Sequence, residues 1–435
     1  MKLKIEKLVY GGEGLARIPG PEGRSQTVFV PFVLPGEEVE AAVVEQKKSF
    51  THARLEEVIT PSSERVSPPC PYFQQCGGCH YQQMSYPRQL EVKRSILLET
   101  LQRTAKIEWR GELPIHSAEP LQYRNRTRIR ANKGGDFAIG YHQHRSHRLV
   151  AVKQCPISSP LINRALQAIW TIGEASGFPS AIAEVEFFAN AADDELLLEL
   201  LLNEWGPELA PLLTRVTKEI SSAVPEVSGV SVFEQQEGFT QYGKAVWRSG
   251  KEALDYKTRE HSFRVSSGSF FQTNRFLSDV LVDLVTRDKK GKLAIDLYAG
   301  TGLFSLPLAH NFDEVVAVES APASFADLRA NATANIKSIR SSTEDFLTRL
   351  IHGPSHAAKP DLVVVDPPRA GLGDKAAKAL AKAAAKEICY VSCDPATLSR
   401  DLRVLIESGY RIGEIHLVDL FPQTFHLETV VKLSR

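Results

Sequence analysis

The residues best equipped for chemistry lie in the last third of the chain. Cys393 sits in Val391-Ser392-Cys393-Asp394-Pro395, downstream of Asp366-Pro367-Pro368-Arg369. Each motif follows a strand-like apolar run, at residues 362–365 and 388–391. A cysteine at the carboxyl end of a strand in an open α/β sheet lies on the edge where such folds bind ligands. As a thiolate it is a nucleophile. Upstream, Asp296-Leu297-Tyr298-Ala299-Gly300-Thr301-Gly302 forms a glycine-rich turn after a strand, where backbone can approach a nucleotide-type ligand closely. Glu319 ends the next apolar run, residues 315–318, at the spacing where an acid holds ribose hydroxyls. The dinucleotide fingerprint is not completed, because Leu303-Phe304-Ser305 follow Gly302. Pro367 and Pro368 fix the backbone and keep Asp366 out of helical conformation, making a rigid turn at a strand end.

Those groups need a scaffold that brings strand ends to one edge. After about residue 266 the pattern alternates strand and helix, with strands expected at 293–297, 315–318, 362–365, 388–391 and 415–420 and Ala-rich helices between them. This reads as a doubly wound α/β domain over 266–435. Residues 1–58 alternate apolar and polar residues between glycine turns, the pattern of an OB-like β-barrel, a common nucleic-acid-binding module. Residues 59–265 read as a central α+β domain, in which a helix over 90–107 is expected to pack on the catalytic domain. Arg124, Arg126, Arg128, Arg130, Lys133, Arg145, Arg148 and Lys153 make part of it basic, and arginines at period two suit one phosphate-facing side of a strand.

Over 435 residues, 52 basic and 52 acidic side chains balance. No apolar stretch is long enough to span a bilayer, and the charged N-terminus lacks a signal peptide's apolar core, so a cytoplasmic monomer is expected. In a reducing compartment the six cysteines are metal ligands, catalytic groups or core residues rather than disulfides. Cys70, Cys76, Cys79 and Cys155 form a four-thiolate set that suits either tetrahedral zinc or a 4Fe-4S cluster. Zinc sites more often come as two C-x2-C pairs, and this chain has one. Cys389 reads as core.

Five motifs occur in order: Phe270-Phe271-Gln272-Thr273-Asn274, the 296–302 turn, Asp366-Pro367-Pro368-Arg369, Ser392-Cys393-Asp394-Pro395 and His426-Leu427-Glu428-Thr429-Val430. Together they resemble the RNA uracil-C5 methyltransferase family, which makes 5-methyluridine, and residues 1–58 resemble its TRAM domain. The resemblance spans essentially the whole chain. It implies a class I, Rossmann-like methyltransferase fold using S-adenosylmethionine, with Cys393 as nucleophile and Glu428 as base. Gln272, Tyr298, Glu319 and Asp366 are implied as cofactor contacts, and the cysteine spacing matches members that carry a 4Fe-4S cluster. The implied partner is RNA, with ribosomal (23S) RNA favoured over transfer RNA and no membrane. The chain departs from the family at Leu303, where a polar residue is common, and at Ser341-Ser342-Thr343, which lacks the acid often found near the adenine. RNA cytosine-C5 methyltransferases are the enzymatic alternative, but they carry a cysteine directly after the D-P-P turn, where Arg369 stands. The alternative of another class is a non-catalytic RNA-binding iron-sulfur protein.

Overall fold

A computed structural model of the chain describes residues 1–19, 25–132, 136–175, 177–235, 245–352 and 359–435, so Lys133 of the basic segment lies outside the described residues. Among these residues, β1 (Lys2–Lys4), β2 (Lys7–Leu8), β3 (Glu13–Pro19), β4 (Ser25–Pro31), β5 (Glu38–Gln46) and β6 (Phe50–Thr60) form one sheet in the order β1-β5-β6-β4-β3-β2. The consecutive strands β1 and β2 stand at its two ends, so the sheet must curl round into a barrel. Leu3, Ile5, Val28, Val30 and Val39 fill its interior.

A helix, α1 (Tyr86–Thr100), follows and runs on as a π-helical turn over Leu101–Ala105. Pro87 at its start brings a preset helical φ, and Lys106 ends it in the left-handed conformation. Val92, Ile96, Leu97 and Leu101 form one stripe on its surface at helical spacing. They join a core cluster with Leu398, Leu402 and Leu405 of the C-terminal domain. Close by, β7 (Ile115–His116) pairs in parallel with the last-but-one strand of the C-terminal sheet.

The central sheet runs β10 (Leu149–Ala151), β9 (Ile139–His142), β8 (Arg126–Ala131), β11 (Ile182–Ala189), β12 (Leu196–Leu202), β13 (Val227–Glu234) and β14 (Trp247–Gly250). Two amphipathic helices, α2 (Pro160–Glu174) and α3 (Leu209–Ala223), bury their apolar stripes against it. The arginine row does not form a free phosphate-facing side. Glu186 and Glu184 stand opposite Arg128 and Arg130 in the neighbouring strand, and both arginines are ion-paired to them. Arg126 is buried against Glu186 and Glu199. The period-two pattern was matched by carboxylates on the facing strand, which is how a buried or half-buried charge is tolerated.

A hairpin, β15 (Ala253–Lys257) and β16 (Ser262–Ser266), leads into the C-terminal domain and buries Leu254, Tyr256, Phe263 and Val265 against it. The C-terminal sheet has the order β19 (Ile336–Arg340), β18 (Phe312–Glu319), β17 (Gly291–Leu297), β20 (Leu362–Val365), β21 (Glu387–Ser392), β23 (Glu428–Ser434), β22 (Arg411–Val418), β7. Strands β17 to β21 are parallel; β23 runs antiparallel between β21 and β22. Helices α4 (Ser278–Thr286), α5 (Ser305–Leu308), α6 (Pro322–Asn331), α7 (Thr343–His352), α8 (Gly373–Ala383) and α9 (Pro395–Glu407) complete it. The topological switch falls between β17 and β20, where a doubly wound sheet opens its ligand crevice. No described helix is long and apolar enough to cross a membrane.

Candidate active site

Strand direction gathers the chemical groups. Parallel strands β17, β18, β20 and β21 end at one edge of the sheet, delivering Tyr298, Glu319, Asp366 and Cys393 there. Because β23 is reversed, its first residue, Glu428, reaches the same edge. Ser392 pairs with Thr429, so the next step outward on each strand sets Cys393 beside Glu428.

Cys393 occupies the turn between β21 and α9. Asp394 caps that helix, its carboxylate accepting from the N–H groups of Ala396 (3.0 Å) and Thr397 (2.9 Å), and Pro395 opens the first turn. The D-P-P-R turn is strapped to the same helix. Thr397 Oγ1 donates to the Arg369 carbonyl (3.0 Å), Arg400 to the Ala370 carbonyl (2.8 Å), and Leu372 N–H to the Asp401 carboxylate (2.7 Å). The two motifs are therefore one rigid unit.

Electrostatics follow from that crowding. Burial, then the charges of Glu428 and Asp366, push the Cys393 thiol up to about 12, while Arg369 pulls it down. Burial and Asp366 raise Glu428 well above the carboxylate range, again opposed by Arg369. Burial raises Asp366 to about 7. An acid-rich pocket with the thiol at its centre thus holds its protons, and a cation entering it would lower all three groups. Arg369 leans on His426, its Nη2 lying 3.1 Å from Nε2. Burial and then Arg369 depress His426 to about 3, so the ring is neutral.

At the glycine turn, Glu319 Oε2 accepts from Gly300 N–H (2.9 Å), and its Oε1 accepts from Ser320 and Ala321 N–H. Tyr298 takes the left-handed region, φ 62°, which a bulky residue rarely adopts. Gly300, also left-handed, faces open space where a Cβ would stand. Asp296 is buried, bonded to the Ser305 hydroxyl, and burial raises it to about 7. Its Oδ1 and the Thr301 hydroxyl have no partner among the described residues. Orphaned buried polar atoms, an open glycine backbone and an acid at the end of β18 form a cradle that fits an adenosyl amino acid. Leu303 is buried core beside this turn. Ser342 Oγ bonds Asp345 (2.7 Å), an acid one turn beyond the Ser341-Ser342-Thr343 stretch.

Gln272 is buried in the loop between β16 and α4. That loop is held from two sides. Asp327 accepts from Ser266 N–H and from the hydroxyls of Ser266 and Ser269. From the central sheet, Arg126 donates to the Ser269 carbonyl, and Glu199 accepts from Gly268 N–H (3.1 Å). The buried arginine–glutamate network therefore seats the Gln272 loop.

The four cysteines Cys70, Cys76, Cys79 and Cys155 line one cavity of about 470 Å³, together with Arg124, Arg369, Phe425 and His426. Burial raises the Cys76 thiol to about 11 and raises Cys79 further. Among the described residues, no three or more His, Cys, Asp or Glu side chains form a group that could hold a single metal ion. Cys389 is buried in the sheet between Val364 and Lys432.

Two contacts were not legible in the sequence. Tyr10, from the barrel, donates to the Cys393 carbonyl (3.3 Å) and packs edge-on against Phe425; its spacing carries no signal. Arg369 was visible as part of its motif, but not as the cation facing both Cys393 and Glu428.

The fold and the relatives of the chain agree. Its structure superposes along its whole length, with a TM-score of 0.76 and 24% identity, on the Pyrococcus abyssi tRNA (uracil-54, C5)-methyltransferase solved with S-adenosyl-L-homocysteine, covering all of both chains. An RNA methyltransferase of uncharacterized function from Aquifex aeolicus is 32% identical over 446 residues, covering 100% of this chain and 98% of the relative. One from Thermotoga maritima is 29% identical over 457 residues, covering 100% and 99%. Residues 1–55 match the TRAM domain. The protein is thus an RNA methyltransferase with an N-terminal TRAM barrel and a Rossmann-like catalytic domain. Residues 85–435 match the tRNA (Uracil-5-)-methyltransferase model, and the chain belongs to that family.

The pocket's charge predicts how Cys393 should react. In the free protein its alkylation by iodoacetamide, read by peptide mapping, should keep rising about tenfold per pH unit beyond pH 10, where an ordinary thiol of pKa about 8.5 has levelled. Arg369→Met should slow the reaction at each pH. A plateau near pH 9 in the unmodified chain would contradict the acid-rich pocket.

Proposed function

We propose that the protein methylates C5 of a specific uridine in RNA, with Cys393 as nucleophile and Glu428 as base. The observation that carries this reading is the register of β21 and β23, which sets thiol and carboxylate side by side at the ligand edge of the sheet. Uracil C5 is a poor nucleophile. Addition of the Cys393 thiolate to C6 breaks the C5–C6 π bond and leaves carbanion character at C5. S-adenosylmethionine, when bound, supplies the methyl group that C5 takes up. Glu428 then removes the C5 proton; the electron pair re-forms the C5–C6 double bond and expels the thiolate. Gln272, Tyr298, Glu319 and Asp366 hold the cofactor in this reading, Glu319 at the ribose and Asp366 and Gln272 nearer the reacting atoms. To meet Cys393 the base must leave its stack.

The four cysteines, in the same reading, hold a 4Fe-4S cluster. They line a common cavity, and their spacing resembles that of the cluster-bearing members of the family. Its role is structural or RNA-positioning, since the transfer requires no redox step. Ribosomal RNA is the favoured substrate, because a TRAM barrel combined with this cysteine spacing resembles the ribosomal uracil methyltransferases. The family's description favours a transfer RNA uridine as second reading.

RNA containing 5-fluorouridine at the target should trap a covalent complex, because the C5 fluorine cannot leave as a cation. Cys393→Ala should form none, and trapping by that variant would remove the nucleophile assignment. Glu428→Gln should lower turnover by about 10²–10⁴-fold, the range general-base groups contribute, and accumulate adduct on ordinary RNA.

Purified under anoxia, the protein should carry iron and acid-labile sulfide in equal amounts. Cys79→Ala should lose both; retention of both by that variant would exclude Cys79 as a ligand.

Mapping 5-methyluridine in ribosomal and transfer RNA from a deletion strain identifies the substrate. A ribosomal site should vanish; loss confined to transfer RNA would establish the second reading.

A further inference from the structure

The segment that delivers Glu428 to the site is held by a clamp built largely outside the catalytic domain. Residues 419–427 connect β22 to β23 and end at Glu428. Four successive carbonyls in this connection are each taken by a different donor. Asn274 Nδ2 donates to the Leu420 carbonyl (3.0 Å), Lys93 Nζ to that of Phe421 (2.9 Å), and the Tyr123 hydroxyl to that of Pro422 (3.0 Å). The N–H groups of His80 and Tyr81 both donate to the Gln423 carbonyl (2.8 and 3.0 Å). Gln89, on α1, matches Gln423 on both sides, accepting from its N–H and donating to its side-chain oxygen, each at 3.0 Å.

Lys93 stands at the centre. Its ammonium and the Asp419 carboxylate are 2.5 Å apart, and both side chains are 0% exposed. A lysine and an aspartate taken wholly out of water are weak evidence of stability, since desolvation offsets their attraction; such pairs are better explained by the geometry they fix. Here the same ammonium reaches the Phe421 carbonyl, so one group ties α1 to the start of the connection at two points. His80 directly follows Cys79, and its ring packs on Phe425 (4.7 Å). The cysteine segment and α1 thus grip the same few residues.

We propose that Lys93 is a positioning residue for the elimination step: through Asp419 and the Phe421 carbonyl it holds the 419–427 connection so that Glu428 reaches the C5 proton. The inference rests on the assignment of Glu428 as base. It places the effect after methyl transfer, because Cys393 and the D-P-P-R turn are braced separately by α9.

The test uses the full-length holoprotein with ordinary substrate RNA and S-adenosylmethionine, measuring kcat, KM for S-adenosylmethionine, and the fraction of enzyme in covalent complex during turnover. Lys93→Met alone leaves Asp419 buried and unpaired, so Lys93→Met/Asp419→Asn is made with it, and Gln89→Leu loosens the same connection without touching a charge. Expected for the folded double variant is a fall in kcat of about 10²-fold, the cost of a displacement near 1 Å, with KM for S-adenosylmethionine falling alongside it and kcat/KM within about twofold, because the slowed step follows methyl transfer. Adduct should rise several-fold, and Gln89→Leu should shift both in the same direction by less. Glu428→Gln serves as reference. If it accumulates adduct while the folded Lys93 variants and Gln89→Leu do not, the positioning role is overturned and the base assignment stands. If Glu428→Gln accumulates none, the base assignment falls and takes the inference with it.

Discussion

One strand pairing underlies the site: the antiparallel insertion of β23 beside β21. In an all-parallel sheet the residues at the ligand edge all come from strand ends, each followed by its own crossover connection. Reversing one strand lets a strand start share that edge. It is the hydrogen-bond ladder from Glu387–Ser434 to Ser392–Thr429 that makes Cys393 and Glu428 neighbours. A slip of one residue would turn every side chain of β23 to the other face of the sheet. Val430 and Val431 are both fully buried, one in each of the two apolar layers that flank the sheet.

The pairing has an electrostatic cost that the surroundings manage. Glu428, Asp366 and Cys393 each raise or are raised by another member of the group, and burial raises all three. A pocket with this charge pattern favours a positively charged occupant, which is what a sulfonium is, and neutralises itself by protonation without one. Arg369 moderates the arrangement and is kept beside it by the α9 strap on its backbone carbonyl and by a neutral His426. Preference for a cationic occupant and protonation of the Cys393 thiol in its absence then have the same physical source.

Much of this was legible in the sequence because the chemistry concentrates at strand ends. The apolar runs at 362–365 and 388–391 mark the strands; the turns after them hold Asp366 and Cys393; the glycine turn and Glu319 fall where the pattern of a doubly wound domain puts them. The helix expected over 90–107 was readable from Leu90, Ile96, Leu97 and Leu101. The arginine row was misread for a definite reason: alternation shows which side chains share a face, but not what faces them. Glu184, Glu186 and Glu199 lie 56 to 73 residues further along the chain, and they bury Arg126 in an ion-paired network and pair the exposed Arg128 with carboxylates. The reversed strand was equally invisible, since a run such as Thr429-Val430-Val431 has no direction until it is paired.

Contacts that cross the whole chain explain why barrel, cysteine segment and catalytic domain belong to one polypeptide. Tyr10 reaches Cys393 across 383 residues, Gln89 reaches Gln423 across 334, and Lys93 reaches Asp419 across 326. A barrel or cysteine segment that only delivered RNA would need no contact with the backbone at Cys393 or with the connection to Glu428. Instead the hydroxyl of Tyr10, the amides of His80 and Tyr81, and the ammonium of Lys93 all end on main-chain oxygens of Cys393 or of the connection that leads to Glu428. Main-chain oxygens move only with the backbone itself, so these bonds fix the positions of Cys393 and Glu428 rather than decorate them. The parts that would meet RNA are thereby made mechanically continuous with the parts that would transform it.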